Sequence, residues 1–287
     1  MAKKPKVFLE MAKNGSNERL HIQTILAALK TRTELGLKLV GSPGYDAAVG
    51  AEIWDVRLPD GNNRAVHYDL KLFLRDTRML YVEIKCSQTN TPIQLNDPPW
   101  KCGVQFHNGP CTKYSLCKRY AQLWYDIHIQ SGDLHREFAL EAALPTFDEW
   151  YRLDVCRQTD PTTPFGLELK AKVRAHTGGS LLAQRAPVVA AFEMTPADEA
   201  SLMSEVYAEA KNAFNDKDCW LTVHGNLEGE FNAAWFPKFT LTPIVSVQMT
   251  KKQDIHFVFT CEDGFKLKSI LRWGKGAGFS CLRMDLK

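Results

Sequence analysis

The sequence predicts an α/β protein with a mixed central sheet between flanking helices, followed by a β-rich C-terminal half. Three observations support this fold class. Apolar residues recur at helical spacing near the N-terminus, and two short runs within residues 67–87 alternate polar and apolar side chains. From Trp220 onward, further β-rich runs are separated by Gly and Asn turns.

The first predicted helix begins after Ser16, a residue type that caps helices, and ends at Gly36. Its apolar side chains, Ile22 and Ile25 among them, form one stripe. Glu18 precedes Ile22 by one turn and is therefore expected near the inward face. A carboxylate there is either a partner of the helix dipole or a group directed at a site.

Residues 37–58 are interpreted as extended segments, and residues 59–63 as a turn. A second helix is predicted from Lys113 to Ile129, and a third from Thr195, a cap followed by proline, through Phe214. The predicted division is a core of residues 1–130 and a β-rich region of residues 131–287, which either binds DNA or completes the same domain.

Composition excludes several classes of protein. With 45% hydrophobic and 24% charged residues, the chain is typical of a soluble globular protein. No stretch has the apolar length of a membrane span, and the start has no apolar core of a signal peptide. The eight cysteines do not frame short loops, which favours reduced thiols. We therefore expect a cytoplasmic protein without a membrane partner.

The runs YDLKLFL and MLYVEIKC predict an antiparallel hairpin because only a short turn separates them. Alternation places the leucines of the first run and Leu80, Val82 and Ile84 on one apolar face. The other face carries Asp69, Glu83, Lys85 and further polar or aromatic residues. We expect Asp69 to lie across from Lys85.

Two carboxylates and a lysine in this arrangement suit phosphodiester hydrolysis. Asp69 and Glu83 offer the hard oxygen ligands that Mg²⁺ prefers. Lys85 is a point charge that can hold an attacking water and offset charge on the transition state. The simpler interpretation is a solvated sheet face with a cross-strand ion pair, since an acid-x-lysine pattern is common in strands.

The same stretch resembles the PD-(D/E)xK nuclease superfamily, which includes the type II restriction endonucleases. Asp69 is followed by thirteen residues and then by Glu83-Ile84-Lys85 in an apolar strand, with one predicted helix before and one after. The similarity covers roughly residues 16–130. Tyr68 stands where the family motif has proline.

The resemblance implies a restriction-endonuclease-like core with Asp69, Glu83 and Lys85 as catalytic residues, and Asp69, Glu83 and Glu18 as metal ligands. It implies Mg²⁺-dependent, sequence-specific cleavage of double-stranded DNA by in-line attack of water, used in restriction. A homodimer is one option that it leaves open. The alternatives are a structure-selective repair or recombination nuclease and a DNA-binding protein without catalysis.

Two other positions could hold the motif. Pro59-Asp60 matches the literal motif but falls in a polar turn. Asp154 is followed at the same spacing by Glu168-Leu169-Lys170, although its intervening segment has two prolines and a solvated strand explains it more simply.

Further candidates concern zinc and DNA contacts. Four residues within a short span could ligate zinc, although their spacing fits no compact knuckle: Cys102, His107, Cys111 and Cys117. Gln88 and Asn90 follow the catalytic strand and could read base edges. Arg272 and Lys275 lie in a glycine-rich basic segment suited to a phosphate backbone.

Overall fold

The computed structural model describes residues 16–59, 68–87, 107–110, 114–156, 161–177, 181, 183–227, 229–273 and 282–286. By its internal contacts the chain divides into two units. The first comprises Met1–Val104 and Lys211–Leu241, and the second comprises Gln105–Ala210 and Thr242–Lys287. Each unit is therefore built from two separate stretches of chain, whereas the sequence suggested a single boundary near residue 131.

The first unit contains a five-stranded mixed sheet. Its helices are α1 (Ser16–Thr31), α2 (Glu34–Val40) and α3 (Tyr45–Ala48). Its strands are β1 (Ile53–Arg57), β2 (Leu70–Leu74), β3 (Met79–Ser87), β5 (Cys219–Gly225) and β6 (Phe231–Pro237), and this is also their spatial order. β3 and β5 run parallel, and the other neighbours are antiparallel.

The core of this unit lies on one face of the sheet. Ile25 and Leu29 of α1 pack into the same buried cluster as the leucines of β2. Trp235 of β6 joins that cluster, and its indole nitrogen donates to the carbonyl of Leu39 at 2.8 Å. Apolar burial on this face therefore stabilises the sheet and leaves the opposite face for other side chains.

The second unit combines helices with an antiparallel sheet. The helices are α4 (Ser115–Trp124), α5 (Asp133–Glu137), α6 (Phe147–Trp150), α7 (Pro164–Thr177), α8 (Arg185–Ala191) and α9 (Pro196–Asn215), whose last residues belong to the first unit. The strands are β4 (His107–Pro110), β7 (Ile244–Lys251), β8 (Ile255–Cys261), β9 (Lys266–Trp273) and β10 (Leu282–Leu286). They lie in the order β4-β10-β9-β8-β7.

Several predicted elements are present. α4 continues as a π-helix over Tyr125–Gln130, so the helix predicted from Lys113 to Ile129 is confirmed. α9 begins as expected, because Thr195 and Asp198 exchange the two hydrogen bonds of a capping box. The mixed α/β class is confirmed, and the strands from Cys219 onward match the β-rich runs.

Other expectations were wrong. Residues 34–48 form two short helices where extended chain was predicted, and Gly36 lies inside α2 instead of ending α1. A Cβ at Gly36 would lie 2.2 Å from the carbonyl oxygen of Ala28, so the glycine allows the two helices to approach. The described residues between 133 and 215 are largely helical, so the strands of the second half begin only at Cys219.

No helix among the described residues is both long and apolar enough to cross a membrane.

Candidate active site on the β2–β3 hairpin

The hairpin of β2 and β3 has the two faces that its alternation predicted. Leu70, Leu72 and Leu74 of β2 are at most 1% exposed, and so are Val82 and Ile84 of β3. The residues between them are more accessible, as the burial of β2 shows along its length. Burial of the leucines determines that Glu83 and Lys85 face away from the apolar core.

The register differs from the expected one by two residues. Leu70 pairs with Val82 and Lys71 with Tyr81, so Asp69 lies across from Glu83 and not from Lys85. The turn is tighter than predicted, because Leu74 donates its N–H to the carbonyl of Arg78 at 2.9 Å. A shift of two residues keeps every side chain on its face, so the polar cluster is preserved.

Asp69 lies immediately before β2 and is bonded to β3 at two points. Its N–H donates to the carbonyl of Val82 at 2.8 Å. Its Oδ2 accepts the N–H of Ile84 at 2.7 Å, in the place where a continuing strand would offer a carbonyl. The carboxylate is thus held beside the backbone that carries Glu83.

Glu83 is the centre of the cluster. It is 8% exposed, and its Oε1 forms an ion pair with Lys85, two residues further along the same face of β3. Its Oε2 lies 3.4 Å from the Nζ of Lys217. A buried carboxylate is costly unless it is paired, and here two ammonium groups compensate it.

Lys217 is the site residue that sequence analysis missed. It lies just before β5, is 1% exposed, and holds its Nζ 4.2 Å from the centre of the Trp220 ring. Burial lowers the pKa of Lys217, while Glu83 and Asp69 act to raise it and Lys85 acts to lower it. The four groups therefore form one electrostatic cluster.

Parallel pairing between β3 and β5 explains why Lys217 lies beside Glu83. Glu83 lies beside Trp220 and Lys85 beside Thr222. More than a hundred residues separate the two strands in sequence, so no local pattern indicates the pairing. The only sequence signal was a lysine two residues before an apolar run, a common arrangement.

The carboxylates of Asp69 and Glu83 fit a Mg²⁺ ion by their donor chemistry. Mg²⁺ is commonly bound by one or two carboxylates together with substrate phosphate oxygens and retained waters. Two carboxylates on adjacent strands provide that set. Within the described residues no three His, Cys, Asp or Glu side chains are grouped as metal ligands.

Several predicted site residues lie outside the part of the chain that the structure describes. They are Gln88, Asn90, Lys275, Asp60 and the cysteines at 102 and 111, and the side chains of Glu18 and His107 also fall there. Cys117 is a fully buried free thiol in α4. Arg272 is a partly buried residue of β9 in the second unit.

The rival motif does not form a hairpin. Asp154 lies in a π-helical turn, and Glu168 and Lys170 lie in α7, where a solvated strand was expected. Asp154 is fully buried and accepts hydrogen bonds from Thr162 and Thr163. Glu168 accepts the N–H groups of residues 141 and 142. These bonds give both carboxylates a structural role.

Comparisons with protein-family models, curated proteins and solved structures gave no match to this chain.

Proposed function

We propose that the chain is a Mg²⁺-dependent nuclease that hydrolyses phosphodiester bonds of double-stranded DNA, with Asp69, Glu83 and Lys85 as catalytic residues. One observation supports the proposal above all. The carboxylates of Asp69, just before β2, and Glu83, in β3, meet two lysines on the polar face of a hairpin whose other face is fully apolar. The mixed sheet and the preceding helix agree with the family resemblance.

The carboxylates of Asp69 and Glu83 would hold the ion, which supplies charge neutralisation at the phosphate and a lowered pKa of water. Asp69 is suited to this role because the N–H of Ile84 fixes one of its oxygens. Glu83 would share its oxygens between the lysines and the ion. These carboxylates are anchored by the backbone of the sheet, which favours preorganisation.

The two lysines have different roles because their exposure differs. The side chain of Lys85 is 18% exposed, so its ammonium can reach a substrate phosphate and offset charge in the transition state. The side chain of Lys217 is only 1% exposed and cannot contact substrate without rearrangement. It is therefore a positioning residue that orients the carboxylate of Glu83.

The test is cleavage of supercoiled plasmid with Mg²⁺, with and without EDTA. We expect nicked or linear product that EDTA abolishes. D69N and K85A should each reduce cleavage by roughly two to four orders of magnitude, because each removes a group that acts on the reacting phosphate. The exposed pair of Glu34 and Lys38 in α2 provides matched controls, E34Q and K38A, which should retain full activity.

The pattern of products gives a second readout. Discrete bands from a mapped plasmid indicate sequence-specific cleavage, and a smear indicates selection by DNA structure. Metal-dependent cleavage that survives in both D69N and K85A would show that the hairpin cluster is not the active site.

A further inference from the structure

A groove lies at the turn end of the same hairpin. It has a volume of about 370 Å³, within the range of small-molecule pockets. Its lining combines two aromatic rings with two arginines and the turn itself: Trp54, Phe73, Leu74, Arg75, Thr77 and Arg78. Phe73 lies on the polar face of β2, the face that also carries the Glu83 cluster.

A β-bulge in the edge strand β1 builds one wall of this groove. Ile53 pairs with Leu74 and Asp55 with Phe73, so Trp54 is the additional residue between two regular pairs. Ile53 is buried on the core side, whereas Trp54 is 53% exposed. The bulge therefore turns a large aromatic side chain outward, as bulges near functional sites often do.

The aromatic rings form a defined surface. The rings of Trp54 and Phe73 meet edge to face with their centres 6.2 Å apart. The guanidinium of Arg57 lies 4.6 Å from the centre of the Phe73 ring. Met79, which pairs with Phe73, is 41% exposed and extends the apolar floor. The indole of Trp54, which is half exposed, offers a ring on which a planar group can stack.

Arginines surround this surface. Arg78 is held by Asp76 at 2.7 Å and by the carbonyl of Val49 at 2.9 Å, yet half of its side chain remains exposed. The side chain of Arg75 is 65% exposed and lies 3.8 Å from a carboxylate oxygen of Glu52. A guanidinium group can pair bidentately with phosphate oxygens, and Arg75 and Arg78 both keep at least half of the side chain exposed.

We propose that this groove binds an unpaired nucleobase of the DNA substrate, with the base on Trp54 and the neighbouring phosphates on the arginines. The inference rests on the proposed function, and it specifies a substrate in which a base is unpaired or splayed out near the cut. Exposed aromatic rings with arginine side chains beside them are a combination that binds single strands. A fully stacked duplex does not present a base face to such a ring.

The distance to the cluster agrees with this substrate. Phe73 and Asp69 are four residues apart on one strand, roughly 13 Å at about 3.3 Å per residue. That length corresponds to about four nucleotides at the B-form spacing of 3.4 Å. The unpaired base therefore lies within a few nucleotides of the scissile phosphate.

Binding is measured without cleavage, by fluorescence anisotropy in EDTA. The full chain is titrated with a labelled duplex that carries a short single-stranded gap, and with the same duplex fully paired. We expect tighter binding of the gapped DNA. W54A should weaken that binding roughly 5- to 150-fold, which corresponds to about 1 to 3 kcal/mol for one stacked base. The affinity for the fully paired duplex should fall much less in W54A.

Matched variants make the result specific. L37A removes another exposed apolar side chain of the same unit and should bind as the wild type does. W54F keeps an aromatic ring and should restore most of the affinity. R75Q should reduce the slope of log K against log salt by about 0.7 to 0.9, as expected for one phosphate contact.

Two results would overturn the inference. One is equal binding of gapped and paired DNA by both the wild type and W54A. The other is binding of a proline-rich peptide at Trp54, another ligand of aromatic grooves, without binding of gapped DNA. Failure of the proposed function gives a different result: the protein binds gapped DNA through Trp54 but does not cleave it when Mg²⁺ is added.

Discussion

The ion pair of Glu83 and Lys217 offers the sharpest test of the site. Glu83→Gln removes the carboxylate charge at nearly constant volume and leaves the ammonium of Lys217 buried beside Lys85. Lys217→Met removes the buried cation and fills its space with an apolar chain. The double variant removes both charges. The burial of Glu83 predicts that E83Q loses stability.

The expected magnitude follows from the geometry. Two unit charges 3.4 Å apart interact by about 5 kcal/mol at an effective dielectric constant near 20. Removing one partner of a buried pair typically costs about 3 to 5 kcal/mol. A buried lysine can release its proton instead, which limits the loss. We therefore expect E83Q to lower the free energy of unfolding by about 3 kcal/mol. K217M should lower it by about 1 kcal/mol, because Lys85 still pairs with Glu83 in that variant.

The double variant should lose less stability than the sum of the losses in the two single variants. Replacing both charges of a buried pair by well-packed neutral groups is often neutral, so we expect a coupling of about 2 kcal/mol. The assay is urea unfolding of the four proteins at pH 7, with m-values compared to verify that each unfolds in the same way. Plasmid cleavage should be lost in E83Q and in the double variant despite the recovered stability.

The pH dependence provides an internal check. Burial lowers the pKa of Lys217 below its ordinary value of 10.5. Between the lowered pKa and 10.5 the unfolded chain binds more protons, so stability rises with pH in that window. The rise should be larger in E83Q, because the main group that raises the lysine pKa is gone, and absent in K217M. The coupled pair would be refuted if the two single losses summed to the loss in the double variant within about 0.5 kcal/mol and this pH effect were absent.

Two further predictions concern the second unit. Asp154→Asn should destabilise the protein by about 1.5 to 3 kcal/mol, because an amide cannot accept all the hydrogen bonds from residues 162 and 163. The folded variant should still cleave DNA. A folded but inactive variant would favour the rival motif. Burial lowers the pKa of His128 below 6.5, so the free energy of unfolding should fall as the pH drops from 6.5 toward that lowered pKa. In His128→Gln the urea midpoint should therefore fall less between pH 7 and pH 5 than it does in the wild type. An unchanged pH profile in that variant would assign the acid sensitivity to other groups.

Local pattern was sufficient to predict the hairpin and its two faces. Alternation of leucines with polar residues placed Glu83 and Lys85 on one face, and burial of Leu70, Leu72 and Leu74 at 0–1% exposure confirms it. The capping signals around Thr195 likewise predicted the start of α9. These features were readable because each depends on residues a few positions apart, where periodicity and capping act directly.

The register required the folded chain. A shift of two residues leaves the face of every side chain unchanged, so alternation alone cannot distinguish Lys85 from Glu83 as the partner of Asp69. The tight turn from Leu74 to Arg78 decided it. The bulge at Trp54 also has no signature in a strand of five residues, and it is visible only against β2.

The sequence by itself therefore determined the faces of the hairpin and the types of side chain in the candidate site, whereas tertiary structure decided which groups meet. Lys217 illustrates the difference. It reaches Glu83 because β5 pairs in parallel with β3 after a long excursion of the chain. Parallel pairing between distant strands is selected by packing of the whole sheet, which leaves no mark in the local order of residues.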